Sequence, residues 1–496
     1  MPTSKKDLLF DLIASLTKAE KRNFRMYAKK IQQSDEVLFL QLFDYLEKQS
    51  AFDVNALLCN LKSIQKKQIP NLKRNLYHHI LTSLRLLYSQ KQITLQIREY
   101  LDYAEILYNK GLYLQSLKIL GRAKKIAIKS NQHLLQLEIN VFKSKIQSRH
   151  ITRSSTKGMA HLMQEAIASS NVIYKKTKLA NLKLYLQRVF INQGHLKTAI
   201  QQQRIKTYFF DQIQPTESSS FTFFEKVYFY QSYYWYHFLL QDFEQCHQYA
   251  QLWVKLYNVE KHMINRDMDM YLRAVHHELN TSFFVRNTTC LATQLKSFEK
   301  FIKKNKKKFT RIAFIQAHLF YYQATFNYYF LQRKYKEGLK IIPKVQDFID
   351  TYHLQLDNYK IMILYYKMAA CCLGAKQSAT AINYINCILN ESSSTLREDI
   401  LLYARILGIW AHYQLDNLPA FEYLLNSANR QINRQTNPDQ LSKVVLFFFH
   451  QVNKTVSKEQ PSLFKKFHWQ LEQLRKDPKE NRAFIFLEAE VLIEVA

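Results

Sequence analysis

The 496-residue chain is 47% apolar and 22% charged, ordinary proportions for a folded protein, which excludes disorder over most of its length. Only seven Gly and eight Pro occur, and no two glycines lie closer than ten residues, so neither a GxGxxG nor a GxxxxGK[ST] phosphate cradle can exist. The net charge of +31, from 71 basic and 40 acidic residues, suits a polyanionic partner, yet the basic residues are spread along the whole chain, as a coding bias would also place them.

Helix is predicted almost throughout, because strict apolar–polar alternation is hard to find and turn-forming Gly and Pro are scarce. At the N-terminus Lys5 and Lys6 precede Leu8-Leu9-Phe10, but Asp7 and Asp11 interrupt the apolar stretch, which fails as a signal segment. Thr17-Lys-Ala-Glu20 is a capping box, with the hydroxyl serving the N3 amide and the carboxylate reaching back. Thr395-Leu-Arg-Glu398 repeats it, while Asn437-Pro438 and Asp477-Pro478 place Pro at the first helical position. Residues 1–90 carry Ser15-Leu-Thr-Lys-Ala-Glu-Lys-Arg-Asn-Phe24 and Leu76-Tyr77, Ile80-Leu81 and Ser83-Leu84-Arg85. These segments resemble the N-terminal module of an uncharacterised group of long bacterial helical-repeat proteins of tetratricopeptide (TPR) type, which open with SLTKxEKRxF. The resemblance covers the first fifth of the chain; it implies fold and bacterial origin and brings no activity with it.

A repeat follows over residues 91–430. Tyr100, Tyr103, Ala104 and Leu107, then Gly111, then Tyr113 and Ser116 have the pattern of a TPR unit: two helices joined at a Gly and meeting at small residues. The small-residue slot recurs at Ala160, Ala199, Cys246, Ala292, Gly338, Ala381 and Phe421, at steps longer than the TPR consensus. The expected architecture is therefore all-α: a TPR-like α-solenoid of antiparallel helix pairs, with an N-terminal module (1–90) and a C-terminal helical cap (431–496) built on Ala483-Phe-Ile-Phe-Leu487.

No HExxH or GxSxG motif is present, and no catalytic, cofactor-binding or metal-ligating residue is expected. His276-His277 and His78-His79 are adjacent and diverge by about 100° on a helix, so they read as surface or packing residues. Asp267 and Asp269 diverge likewise. The six Cys have no framework spacing and fit a reducing compartment. No apolar run reaches 18 residues, so a cytoplasmic chain without a membrane span is expected. Two candidate surfaces remain. Tyr228, Gln231, Trp235 and Phe238, with Phe320, Gln323 and Asn327, follow the helix face that lines the concave groove in the TPR register, and aromatics mixed with amides suit an extended peptide. Arg122, Lys124 and Lys125 with Lys143, Lys145 and Arg149 form a basic stripe on consecutive helices that could follow a phosphate backbone. The leading expectation is an interaction scaffold for a protein or peptide, without catalysis; the alternative is a regulator that associates with RNA or DNA.

Overall fold

The computed structural model describes residues 7–31, 36–49, 53–61, 64–150, 156–196, 198–213, 221–353, 355–390, 398–434, 438–454, 460–477 and 480–487. The start signals at Thr395 and Asn437, and Pro478, lie outside them. The described residues are 86% helical, and no strand occurs among them. No helix among them is long and apolar enough to cross a membrane. The chain divides into two compact units, Met1–Tyr174 and Lys175–Ala496.

In the first unit, α1 (Leu8–Ser15), α2 (Lys18–Ile31), α3 (Glu36–Lys48), α4 (Val54–Asn60) and α5 (Ile69–Ser89) enclose Phe24, Leu42, Phe43, Leu76 and Ile80. The capping box forms as expected. Thr17 Oγ1 accepts the Glu20 amide at 3.3 Å, and Glu20 Oε2 accepts the Thr17 amide at 2.6 Å. The Tyr88 hydroxyl donates to Glu20 Oε1 at 2.6 Å, and Asn23 Nδ2 donates to Ser83 Oγ at 3.0 Å, so the two N-terminal motif segments meet. Next, α6 (Ile93–Asn109), α7 (Tyr113–Lys129) and α8 (His133–His150) pack around Ile97, Ala104, Leu120 and Ala123. Ser116 is fully buried and donates to the Ala104 carbonyl at 2.7 Å, which only a close backbone approach permits. α9 (Thr156–Gln193) is one 38-residue helix, so the slot expected at Ala160 belongs to no hairpin, and the division between units falls inside this helix.

The second unit continues with α10 (Ala199–Gln212), then pairs α11 (Phe223–Leu239) with α12 (Phe243–Val259). The short α13 (His262–Arg266) precedes the pair α14 (Met268–Phe284) and α15 (Thr288–Asn305). α16 (Arg311–Leu331) is followed by a broken partner, α17 (Tyr335–Leu339) and α18 (Ile342–Tyr352), where Pro343 restarts the helix. The pairs α19 (Asn358–Gly374) with α20 (Ser378–Asn390), α21 (Glu398–Gln414) with α22 (Leu418–Arg434), and α23 (Gln440–Lys454) with α24 (Gln460–Leu474) follow, ending in α25 (Asn481–Phe486). First helices of successive pairs pack side by side: α14 on α16, α16 on α19, α19 on α21. Cys246, Gly338, Ala381 and Phe421 are buried as the repeat register requires. Ala199 is exposed, and at the Ala292 slot Leu291 takes the buried place. At Gly338 a Cβ would lie 2.4 Å from Cys371 Sγ, so the crossing there leaves room for no side chain.

One turn recurs seven times among the described residues. The second residue after the helix takes a left-handed conformation, and the next amide reaches back five residues, as in Leu112 to Leu107 (2.9 Å), Asn287 to Ser282 (2.9 Å) and Gln377 to Cys372 (2.8 Å). Only the turn at Gly111 uses glycine. The others place Asn131, Gln241, Arg286, Arg333, Lys376 and Asp416 at φ between 52° and 62°. From Gln241 to Asp416 they recur every 40 to 47 residues.

Candidate functional site

Where the first helices of the second unit lie side by side, each turns one stripe of side chains toward a shared groove enclosing about 280 Å3. The stripe follows helical spacing on every helix: His276, Asn280 and Phe283 on α14; Phe320, Gln323 and Asn327 on α16; Lys360, Ile363 and Lys367 on α19; Asp399 and Tyr403 on α21. Trp235 and Phe238 of α11 close one end, their rings 5.3 Å apart. Aromatic and aliphatic carbon makes up most of the wall, with a few convergent polar groups, the composition usual for a ligand site.

Those polar groups form a ladder across three helices. Asn280 Nδ2 lies 3.0 Å from His276 Nε2, Asn327 Nδ2 donates to Asn280 Oδ1 at 3.4 Å, and Lys367 Nζ donates to Asn327 Oδ1 at 2.6 Å. The Lys367 ammonium also lies over the rings of Phe283 (5.5 Å) and Phe330 (5.3 Å). Burial keeps both histidines neutral. It drives His276 well below its usual range and His277 down to about 3, with Arg273 and Lys183 adding to the latter. His276 stacks on Phe320 at 3.9 Å, and His277 lies 5.6 Å from the buried Trp253 ring. Glu278, on the same helix, is pushed by burial up to about 7. Two lysines and three amides against the Asp399 carboxylate favour a ligand rich in carbonyl or carboxylate oxygen.

Five of the seven expected groove residues meet here: Trp235, Phe238, Phe320, Gln323 and Asn327. Phe238 (6% exposed), Gln323 (7%) and Asn327 (3%) are also packed, so on these helices the wall of the groove and the core are one surface. Gln231 and Tyr228 stand apart. Gln231 is 3% exposed with its amide 3.7 Å from Met270 Sδ, and Tyr228 is half-buried beneath the Lys176 ammonium at 5.9 Å. The reading of the sequence missed the contribution of α19 and α21, although Lys360, Ile363 and Lys367 already had the spacing.

The basic stripe of the first unit is divided. Lys124 pairs with Glu165, with Lys143 half-buried beside them, and burial lowers the Lys143 ammonium from its usual range. Lys145 lies 4.8 Å above the Tyr108 ring, while Arg122, Lys125 and Arg149 are exposed. Asp267 caps α14 through the Met270 amide and Asp269 pairs with Arg273 at 3.0 Å. Among the described residues no three His, Cys, Asp or Glu side chains are grouped to hold a metal ion.

Fold and groove together place the chain in the class of all-α helical-repeat proteins. Compared with known proteins, it matches no family model, no curated protein and no solved structure.

Proposed function

We propose that this chain is a cytoplasmic interaction scaffold that holds a peptide or a partner segment in the groove of its second unit, without catalysis. The observation that carries the reading is the stripe of aromatic, amide and ammonium groups in register on α14, α16 and α19. Three helices bring these polar groups into one hydrogen-bonded ladder within a mostly apolar lining. A peptide supplies the complement of this wall, a row of carbonyl oxygens for its donors and apolar side chains for its rings.

Affinity capture with the full chain tests it. Trp235→Ala and Lys360→Ala, both at half-buried groove positions, should lower capture of the partner at least tenfold while the far-ultraviolet circular dichroism is unchanged. Unchanged capture by both variants refutes the groove. The competing partner is RNA or DNA on Arg122, Lys125, Lys145 and Arg149 of the first unit. It predicts a loss of binding of orders of magnitude between ~50 and ~200 mM salt, together with sensitivity to those four positions alone.

A further inference from the structure

One end of the groove is closed by the chain itself. Glu480 accepts the Gln440 amide at 3.2 Å and the Leu441 amide at 3.1 Å, which fixes the segment at the start of α23. From that anchor α25 runs into the groove. Ile485 lines its wall, and Phe484 and Ile485 together border a smaller cavity with Phe283, Phe330, Arg286 and Arg333. Phe484, Ile485 and Leu487 are buried, and the Leu487 carbonyl accepts the Tyr366 hydroxyl at 3.0 Å from 121 residues away.

A helix of six residues does not form by itself in water, so this one exists because the groove holds it. It also uses the groove as a partner would: two adjacent large apolar side chains enter at the rings, and a main-chain carbonyl is taken by a wall donor. We propose that residues 480–487 are a built-in ligand of the groove, and that an external partner is a short segment of like chemistry, two neighbouring large apolar residues with a carbonyl for Tyr366, which must displace them. This rests on the peptide-binding reading above. A tethered segment acts at about millimolar effective concentration, so a peptide that binds the vacated groove with Kd near 100 µM is held off about tenfold by the chain's own copy.

The test uses the full chain and a fluorescent peptide of residues 480–490. The variant Phe484→Asp/Ile485→Asp, which expels the segment, should bind the peptide about tenfold more tightly than the unaltered chain. Tyr366→Phe added to that released chain removes the hydroxyl that takes the peptide carbonyl and should weaken peptide binding about fivefold relative to the released chain. Equal binding to all three chains overturns the proposal. So does absence of binding to the released chain when its melting curve shows it folded. An array of unrelated amphipathic peptides, applied to the released chain, separates the two levels of the argument. Binding of array members but not of the 480–490 peptide means that the segment is fixed core and the groove reading survives. Binding of neither removes both.

Discussion

Lys376 and Asp416 offer a direct measure of what the recurring turn demands. Both are exposed and both hold φ near the left-handed minimum (61° and 52°), and a bond from Ser378 Oγ to Gln414 Oε1 joins the helices beside them. An L side chain costs about 1–2 kcal/mol there, glycine nothing, and glycine returns roughly 0.5–1 kcal/mol of that through its more flexible unfolded state. The net gain for each replacement is about 0.5–1 kcal/mol, and the two should add. Lys376→Gly/Asp416→Gly is therefore expected to be more stable by about 1–2 kcal/mol, a rise in melting temperature of about 2–4 °C followed by circular dichroism at 222 nm. The β-branched pair Lys376→Val/Asp416→Val should move the other way by at least as much, because φ above zero is a true outlier for valine. If the glycine and valine chains melt together with the original, these corners are not left-handed caps and the account of the repeat fails.

Gly338→Ala should destabilise the second unit by about 1–3 kcal/mol in urea denaturation, since the added Cβ would fall 2.4 Å from Cys371 Sγ. Gly338→Ala/Cys371→Ala, which removes the sulfur, should recover much of that loss. Glu278 is a carboxyl whose folded pKa is raised to about 7, so its buried charge opposes folding above that pH and the opposition fades as pH falls toward its unfolded value near 4.5. Glu278→Gln should accordingly be more stable than the original chain at pH 8, by at most about 3 kcal/mol, with the difference gone by pH 4.5; a pH-independent difference refutes the assignment. Glu20→Ala removes both the return bond of the capping box and the acceptor of Tyr88, and should cost about 1–2 kcal/mol, read as faster hydrogen exchange in α2.

The helix-pair plan was legible because its strongest signals are local. The Thr17–Glu20 box, the Gly111 corner and the small residues Ser116, Cys246, Gly338 and Ala381 all sit where spacing put them. The turns between Gln241 and Asp416 were harder to see, since their left-handed positions carry Gln, Arg, Lys and Asp in place of glycine and are held by main-chain bonds that leave no mark in residue type. At Ala160 a small residue with the right interval lies within an unbroken helix, so interval alone is not evidence of a hairpin. Trp235, Phe238, Gln323 and Asn327 were found from one face of two helices. Tyr228 and Gln231 share the face of Trp235 but point to packing higher on α11, because the same periodicity describes a wall and a core. Residues that meet only through tertiary contact, such as Lys367 with Asn327 and Ile485 with the groove, had no local signature.

The absence of glycine at the corners has a consequence for Arg286 and Arg333. Each occupies a left-handed position, at φ 54° and 55°, and each borders the cavity that receives Phe484. Replacement by glycine would relax the backbone and, in the same step, strip a guanidinium from the lining. At these two residues a more durable fold and an intact wall demand opposite side chains, so a search for thermostable variants and a search for well-lined ones should diverge there first.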